Sequence, residues 1–168
     1  MTARPTVDGS LPTLDEHATV IAATVDEVWP VLAETIAGSF RGRVWAAYAA
    51  LVGSEHTQPA GPRPLAVGST VVGFRVVVAD PGRELRLEGS HRFSTYALSF
   101  RLEPVDNRST RLVARSDAVF PGVGGGLYRL LVFGSGIHVG AMRRQLATVR
   151  RRSETVRTAG ATGADPSP

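Results

Sequence analysis

Apolar and polar positions change period several times along this chain. Glu16 to Ala23 (EHATVIAA) reads as a short strand. Helical spacing then takes over, with Val25, Val28, Trp29 and Leu32 at i, i+3, i+4 and i+7. Thr24-Val25-Asp26-Glu27 fits a capping box, in which the Thr24 hydroxyl and the Glu27 carboxylate answer the free amides of a helix start. Pro30 removes one helical hydrogen bond, so this helix is expected to be short or bent. Val44, Ala47, Tyr48 and Leu51 repeat the spacing and predict a second short helix near 43–52. Gly53 to Gly68, with Pro59, Pro62 and Pro64, reads as a loop.

Four alternating segments follow. Thr70 to Ala79 ends in the turn Asp80-Pro81-Gly82. Glu84 to Phe93 places Leu85, Leu87, His91 and Phe93 on one face. Thr95 to Glu103 places Tyr96, Leu98, Phe100 and Leu102 on one face and Thr95, Ser99, Arg101 and Glu103 on the other. Thr110 to Phe120 is the last strand. Short connections predict an antiparallel meander.

Gly122 to Glu154 then reads as one long helix, about 45 Å if continuous. Leu127, Leu131, Gly134, His138, Ala141, Gln145 and Val149 fall near one stripe, bulky at its ends and small in its middle. Gly134, Gly136 and Gly140 each cost about 1 kcal/mol of helix propensity. Close approach to a neighbour, or a space left over the sheet for a ligand, would account for them. Residues 1–14 are expected to be flexible, 15–154 to form the domain, and 155–168 to be a disordered tail.

Composition narrows the chemistry. The 168 residues include no cysteine, so disulfides and thiolate catalysis are excluded. The first seventeen residues lack the apolar core of a secretory signal, which makes the cytoplasm the default. All 19 basic residues are arginine and the net charge is +4. The charge is spread rather than banded and no aromatic platform interleaves it, so nucleic acid is not the expected partner. Val119 to Met142 is long enough to span a bilayer, but Arg129 costs about 2.5–3.5 kcal/mol at mid-span, which favours a covering helix. The corner Phe120–Gly126 leaves peripheral membrane contact open.

No cofactor or metal is expected. The four histidines are far apart in sequence and form no ligand-spaced pair. Gly134-Ser135-Gly136 lacks the spacing of a nucleophile elbow. Gly134, Gly136 and Gly140 miss the dinucleotide fingerprint by one residue. His91, on an apolar strand face, is either a cavity residue or a hydrogen-bonded core histidine. His138, on the small-residue stripe, either faces the same space or bonds to a strand. Two histidines at one cavity can do acid–base work near neutral pH, and Tyr96 is a third candidate.

One strand, two short helices, antiparallel strands and a long final helix form an order that resembles the START/Bet v 1-like (SRPBCC) superfamily, also called the polyketide cyclase/dehydrase and lipid-transport superfamily. The resemblance rests on the first strand running into TVDEVWPVL (24–32), LAVGSTVVGF (65–74), DPGRELRLEG (80–89) and TRLVARSDAVF (110–120). It covers roughly 15–154. It implies an α+β helix-grip fold, a curved antiparallel sheet around a long C-terminal helix with a hydrophobic cavity between them. Members usually have seven strands. Five are legible here, and 40–69 is the stretch where the difference would lie. Family members include carriers, cyclases, hydroxylase subunits and chaperone-binding domains, and no catalytic residue transfers.

The reading is therefore a binder of a small hydrophobic or amphipathic molecule, a lipid or an aromatic, polyketide-like metabolite. Expected lining residues are Leu85, Leu87, His91, Phe93, Tyr96, Leu98 and Phe100 from the sheet, with Gly134, His138, Ala141 and Met142 above. The alternatives are a cyclase, aromatase or hydrolase using His91, His138 or Tyr96, and a protein-interaction module with an exposed apolar patch.

Overall fold

The computed structural model describes residues 11–133 and 136–162. Strand β1 (Thr13–Ile21) leads into α1 (Val25–Ser39) and α2 (Arg43–Val52). Five strands follow: β2 (Thr70–Val71), β3 (Phe74–Asp80), β4 (Glu84–His91), β5 (Ser94–Pro104) and β6 (Thr110–Val119). Two helices, α3 (Gly122–Phe133) and α4 (Ile137–Thr162), end the chain. The sheet runs β1-β6-β5-β4-β3-β2 with every neighbour antiparallel. It is a meander from β2 to β6, with the first strand added beside the last.

The capping box forms at the predicted residues: Glu27 N donates to Thr24 Oγ1 at 3.4 Å and Thr24 N to Glu27 Oε2 at 2.8 Å. Pro30 is accommodated inside α1. The sixth strand comes from dividing the segment 70–79. Val72 and Gly73 turn between β2 and β3, and Gly73 has φ +87°, a conformation that favours glycine. Within 53–69 a single bridge joins Ala60 to Thr70.

Two expectations about the C-terminal part differ from the structure, and a third falls outside the described residues. The stretch 122–154 is two helices. Gly136 has φ +70° and its carbonyl accepts from Gly140 N at 3.0 Å, so α4 starts anew there. Gly134, expected to face the sheet, lies outside the described residues. The supposed tail is helical to Thr162, with Thr155 and Thr158 hydroxyls bonding back to the carbonyls of Arg151 and Glu154. Extending an existing helix requires no new nucleus, so a polar composition there does not stop it. Residues 163–168 lie outside the described part.

The core occupies one end of the concave face. Val28, Leu32 and Ile36 of α1 pack with Leu85, Leu87, Phe100 and Leu112 of the sheet and with Met142, Leu146 and Val149 of α4. Arg152 ties α4 to α1 through the Thr35 hydroxyl at 3.1 Å and the Glu34 carboxylate. The Ala22 amide donates to Glu154 at 3.3 Å. The C-terminal half of α4 is thereby fixed over a filled core. Toward its N-terminus the inner face of the sheet carries Ser94, Ser116 and Ala118, side chains too small to fill the space.

Candidate functional site

That change in size leaves a cavity of about 510 Å³ between the sheet, α2 and the first two turns of α4. Its lining is mostly apolar. Phe40, Val44, Trp45 and Tyr48 come from the α1–α2 region, Phe74, His91, Tyr96, Leu98 and Ala118 from the sheet, and His138, Ala141 and Met142 from α4. Val44 is 82% exposed and Trp45 44%, which places them at the mouth. The apolar spacing of α2 is real, but much of its stripe faces this opening.

An aromatic wall runs along one side. Trp45 meets Phe40 at 5.8 Å between ring centres, Phe40 meets Phe74 at 4.9 Å, Phe74 meets Tyr96 at 5.0 Å and Tyr96 meets His91 at 5.4 Å. Edge-on and tilted contacts of this kind add stability beyond their buried area, and their faces suit a flat apolar ligand.

Tyr96 is held firmly. Its hydroxyl donates to the Gly73 carbonyl at 2.8 Å, and its ring lies over Gly89, the cross-strand partner. Burial pushes its pKa up to about 12, so it stays protonated. It is thus a fixed wall and a tie between β5 and the β2–β3 turn. His91 Nδ1 accepts from the Phe93 amide at 3.2 Å in the hairpin turn, and burial lowers the pKa of its ring.

The far end, under α4, is polar. His138 Nε2 lies 3.0 Å from Ser116 Oγ and 3.6 Å from Asp15 Oδ1. His17 Nε2 lies 3.4 Å from the other Asp15 oxygen. Burial lowers the His138 pKa, an effect that Asp15 partly opposes. Both Asp15 oxygens and Gln145 Oε1 are shielded from solvent and accept no hydrogen bond among the described residues. A bulge in β1 at Leu14 sets this arrangement, because Thr13 pairs with Asp117 and Asp15 with Ser116.

The structure therefore brings His91, Tyr96, Leu98, His138, Ala141 and Met142 to one cavity. Leu85, Leu87 and Phe100 are not part of it. They share its sheet face but are 0–1% exposed in the filled core, because alternation fixes the face and not the position along the strand. Phe93 is in the β4–β5 turn, where its ring lies 3.5 Å from the place a Cβ on Gly124 would take. The sequence reading missed Trp45, Phe74, Ser116 and Asp15. A smaller hollow of about 260 Å³ on the outer sheet face has a charged wall, with Arg86 and Arg115 paired to Glu88 and Asp117 at 3.0 and 2.8 Å. Among the described residues no cluster of potential metal ligands occurs, and no helix is long and apolar enough to cross a membrane.

A six-stranded antiparallel sheet gripping a long C-terminal helix over an internal cavity is the helix-grip architecture. Residues 16–154 match the family model for polyketide cyclase/dehydrase and lipid transport, and the chain belongs to that family. A comparison with curated protein sequences finds no match. Among solved structures it is similar to the Zhui aromatase/cyclase from Streptomyces sp. R1128, with 18% identity, TM-score 0.56, and 86% of this chain and 94% of that one covered. It is also similar to a Thalictrum flavum norcoclaurine synthase point mutant in complex with a transition-state analogue, with 12% identity, TM-score 0.53 and coverage of 89% and 99%. A protein from Thermus thermophilus gives 15% identity, TM-score 0.52 and coverage of 86% and 99%. At these identities the likeness is one of fold.

Proposed function

We propose that the protein binds a small hydrophobic or amphipathic molecule with an aromatic or polyketide-like ring system in the cavity between the sheet and α4. The observation that carries this reading is the unfilled 510 Å³ space walled by Trp45, Phe40, Phe74 and Tyr96. A space of this size falls in the range of small-molecule sites, which are apolar with a few polar groups that fix orientation. The family contains both cyclases and lipid carriers by its description. A lipid chain would use the apolar volume, but the continuous ring wall favours a planar ligand.

Catalysis is the second reading, and one observation favours it. His138 and Ser116 present a nitrogen and an oxygen 3.0 Å apart at the cavity wall, within hydrogen-bond reach of one bound atom. A neutral imidazole there is suited to take a proton in a cyclisation or dehydration. An interaction module is disfavoured, since a filled core beneath an exposed patch is what that reading requires.

Native mass spectrometry of protein purified from its own host tests the proposal. The expected result is a one-to-one adduct, lost on denaturation, whose mass and absorbance identify an aromatic compound. A fatty acid or phospholipid in the adduct would replace the aromatic reading with a lipid one.

A further inference from the structure

The polar end of the cavity holds an unpartnered acceptor. Gln145 Oε1 lines the cavity, is shielded from solvent and has no hydrogen-bond partner among the described residues, while the equally shielded Asp15 oxygens face the His17 and His138 rings. Ser116 Oγ of β6 and His138 Nε2 of α4 lie 3.0 Å apart at the same end. Ser116, His138 and Gln145 line the cavity directly, and Leu14, displaced by the bulge beside Asp15, also reaches it. An apolar core would not place acceptors there, since orphaned acceptors destabilise a fold unless something supplies protons to them.

We propose that this end recognises a hydrogen-bond donor on the bound molecule, and that the ligand is an aromatic compound whose phenolic hydroxyl points under α4 toward Gln145 and Ser116. This rests on the ligand-binding reading above. The ring system lies against the Trp45–Phe74–Tyr96 wall. The hydroxyl enters first and donates to the Gln145 carbonyl oxygen, while the Ser116 hydroxyl satisfies the phenol oxygen. Asp15 is a positioning residue: it does not line the cavity, and its oxygens face the His138 and His17 rings at 3.6 and 3.4 Å. Apolar neighbours at this end, Leu14, Ala118 and Met142, favour a neutral donor over an ammonium group, which would lose its hydration with little in return.

The test uses two probes of one shape, 2-naphthol and 2-methoxynaphthalene, titrated by calorimetry against the full chain. The wild type is expected to prefer the naphthol by about tenfold, the worth of one well-placed hydrogen bond to a shielded acceptor. In Gln145→Met with Ser116→Ala the preference, read as the ratio of the two affinities in the same protein, should shrink to within about twofold. Gln145→Met alone provides the same readout if the double variant fails to fold. Equal affinity of the wild type for both probes overturns this proposal and leaves the cavity-binding reading intact. So does a preference that survives in the variants, or tighter binding of 2-(2-naphthyl)ethylamine than of the naphthol. Failure of both probes to bind the wild type overturns both readings together.

Discussion

Gly89→Ala isolates the device that shapes the cavity mouth. Glycine in a strand interior is ordinarily a weakness, and alanine there stabilises by roughly 0.5–1 kcal/mol. Here the sign should reverse. A Cβ on Gly89 would run into the Gly73 carbonyl oxygen and lie 2.6 Å from Tyr96 Cε2 and 2.9 Å from its Cζ. Neither neighbour yields easily. The Gly73 oxygen belongs to backbone at φ +87°, and the Tyr96 ring is anchored by the 2.8 Å bond from its hydroxyl to that same oxygen. Overpacking costs about 1–3 kcal/mol, and a lost buried hydrogen bond adds about 1–3 kcal/mol. A loss near 3 kcal/mol corresponds to roughly 6–12 °C in Tm for a domain of this size. Thermal melting followed by circular dichroism measures it. A variant that melts at or above the wild-type temperature would refute the argument, because Gly89 would then be only an entropically weak strand residue.

Two further outcomes follow from the geometry. Thr24→Ala removes the side-chain half of the capping box and should lower stability by about 1 kcal/mol, read from the urea midpoint at unchanged slope; an unchanged midpoint would mean that α1 is held by packing alone. Stability should also depend on pH through His91 and His138, whose folded pKa values burial holds below the ordinary 6.5. Well above the ordinary histidine value both rings are neutral in either state and contribute nothing to the pH dependence. Below it the unfolded chain takes up protons first, so stability falls as pH drops toward the folded values, and His138→Gln should flatten part of that fall; a profile with the same slope in both proteins would count against a buried neutral His138.

Local chemistry is legible in the sequence and long-range geometry is not. The Thr24–Glu27 box and the two short helices depend on neighbours within a turn, so spacing alone locates them. Alternation places Tyr96, Leu98, Phe100 and Leu102 on the inner face, as their burial or cavity contacts have it. It does not separate Leu98, which borders the cavity, from Phe100, which fills the core, because that depends on where α1 and α4 cross the sheet. The bulge at Leu14 is a property of pairing with β6, so nothing local singles out Asp15 or His17. The glycines near 134–140 are visible, but spacing misjudges their effect. Gly136 opens α4 through a positive φ, where the pattern predicts a stripe of small residues in a continuous helix. Trp45 escapes the sequence reading because the α2 spacing singles out Val44, Ala47, Tyr48 and Leu51, and all four prove exposed.

The central claim is that the space under the first turns of α4 is a binding site. Ala118 tests it most directly, since it is 3% exposed, pairs with Tyr96 across β5 and β6, and lines the cavity floor. Ala118→Phe would send a ring into that space while keeping a residue that strands favour. Titration of an apolar fluorescent probe, with a thermal melt on the same sample, provides both readouts. The account predicts saturable one-to-one binding to the wild type, loss of at least about tenfold in affinity for Ala118→Phe, and a Tm for the variant close to that of the wild type. Undiminished probe binding by a folded Ala118→Phe would contradict it, for the molecule would then be binding elsewhere.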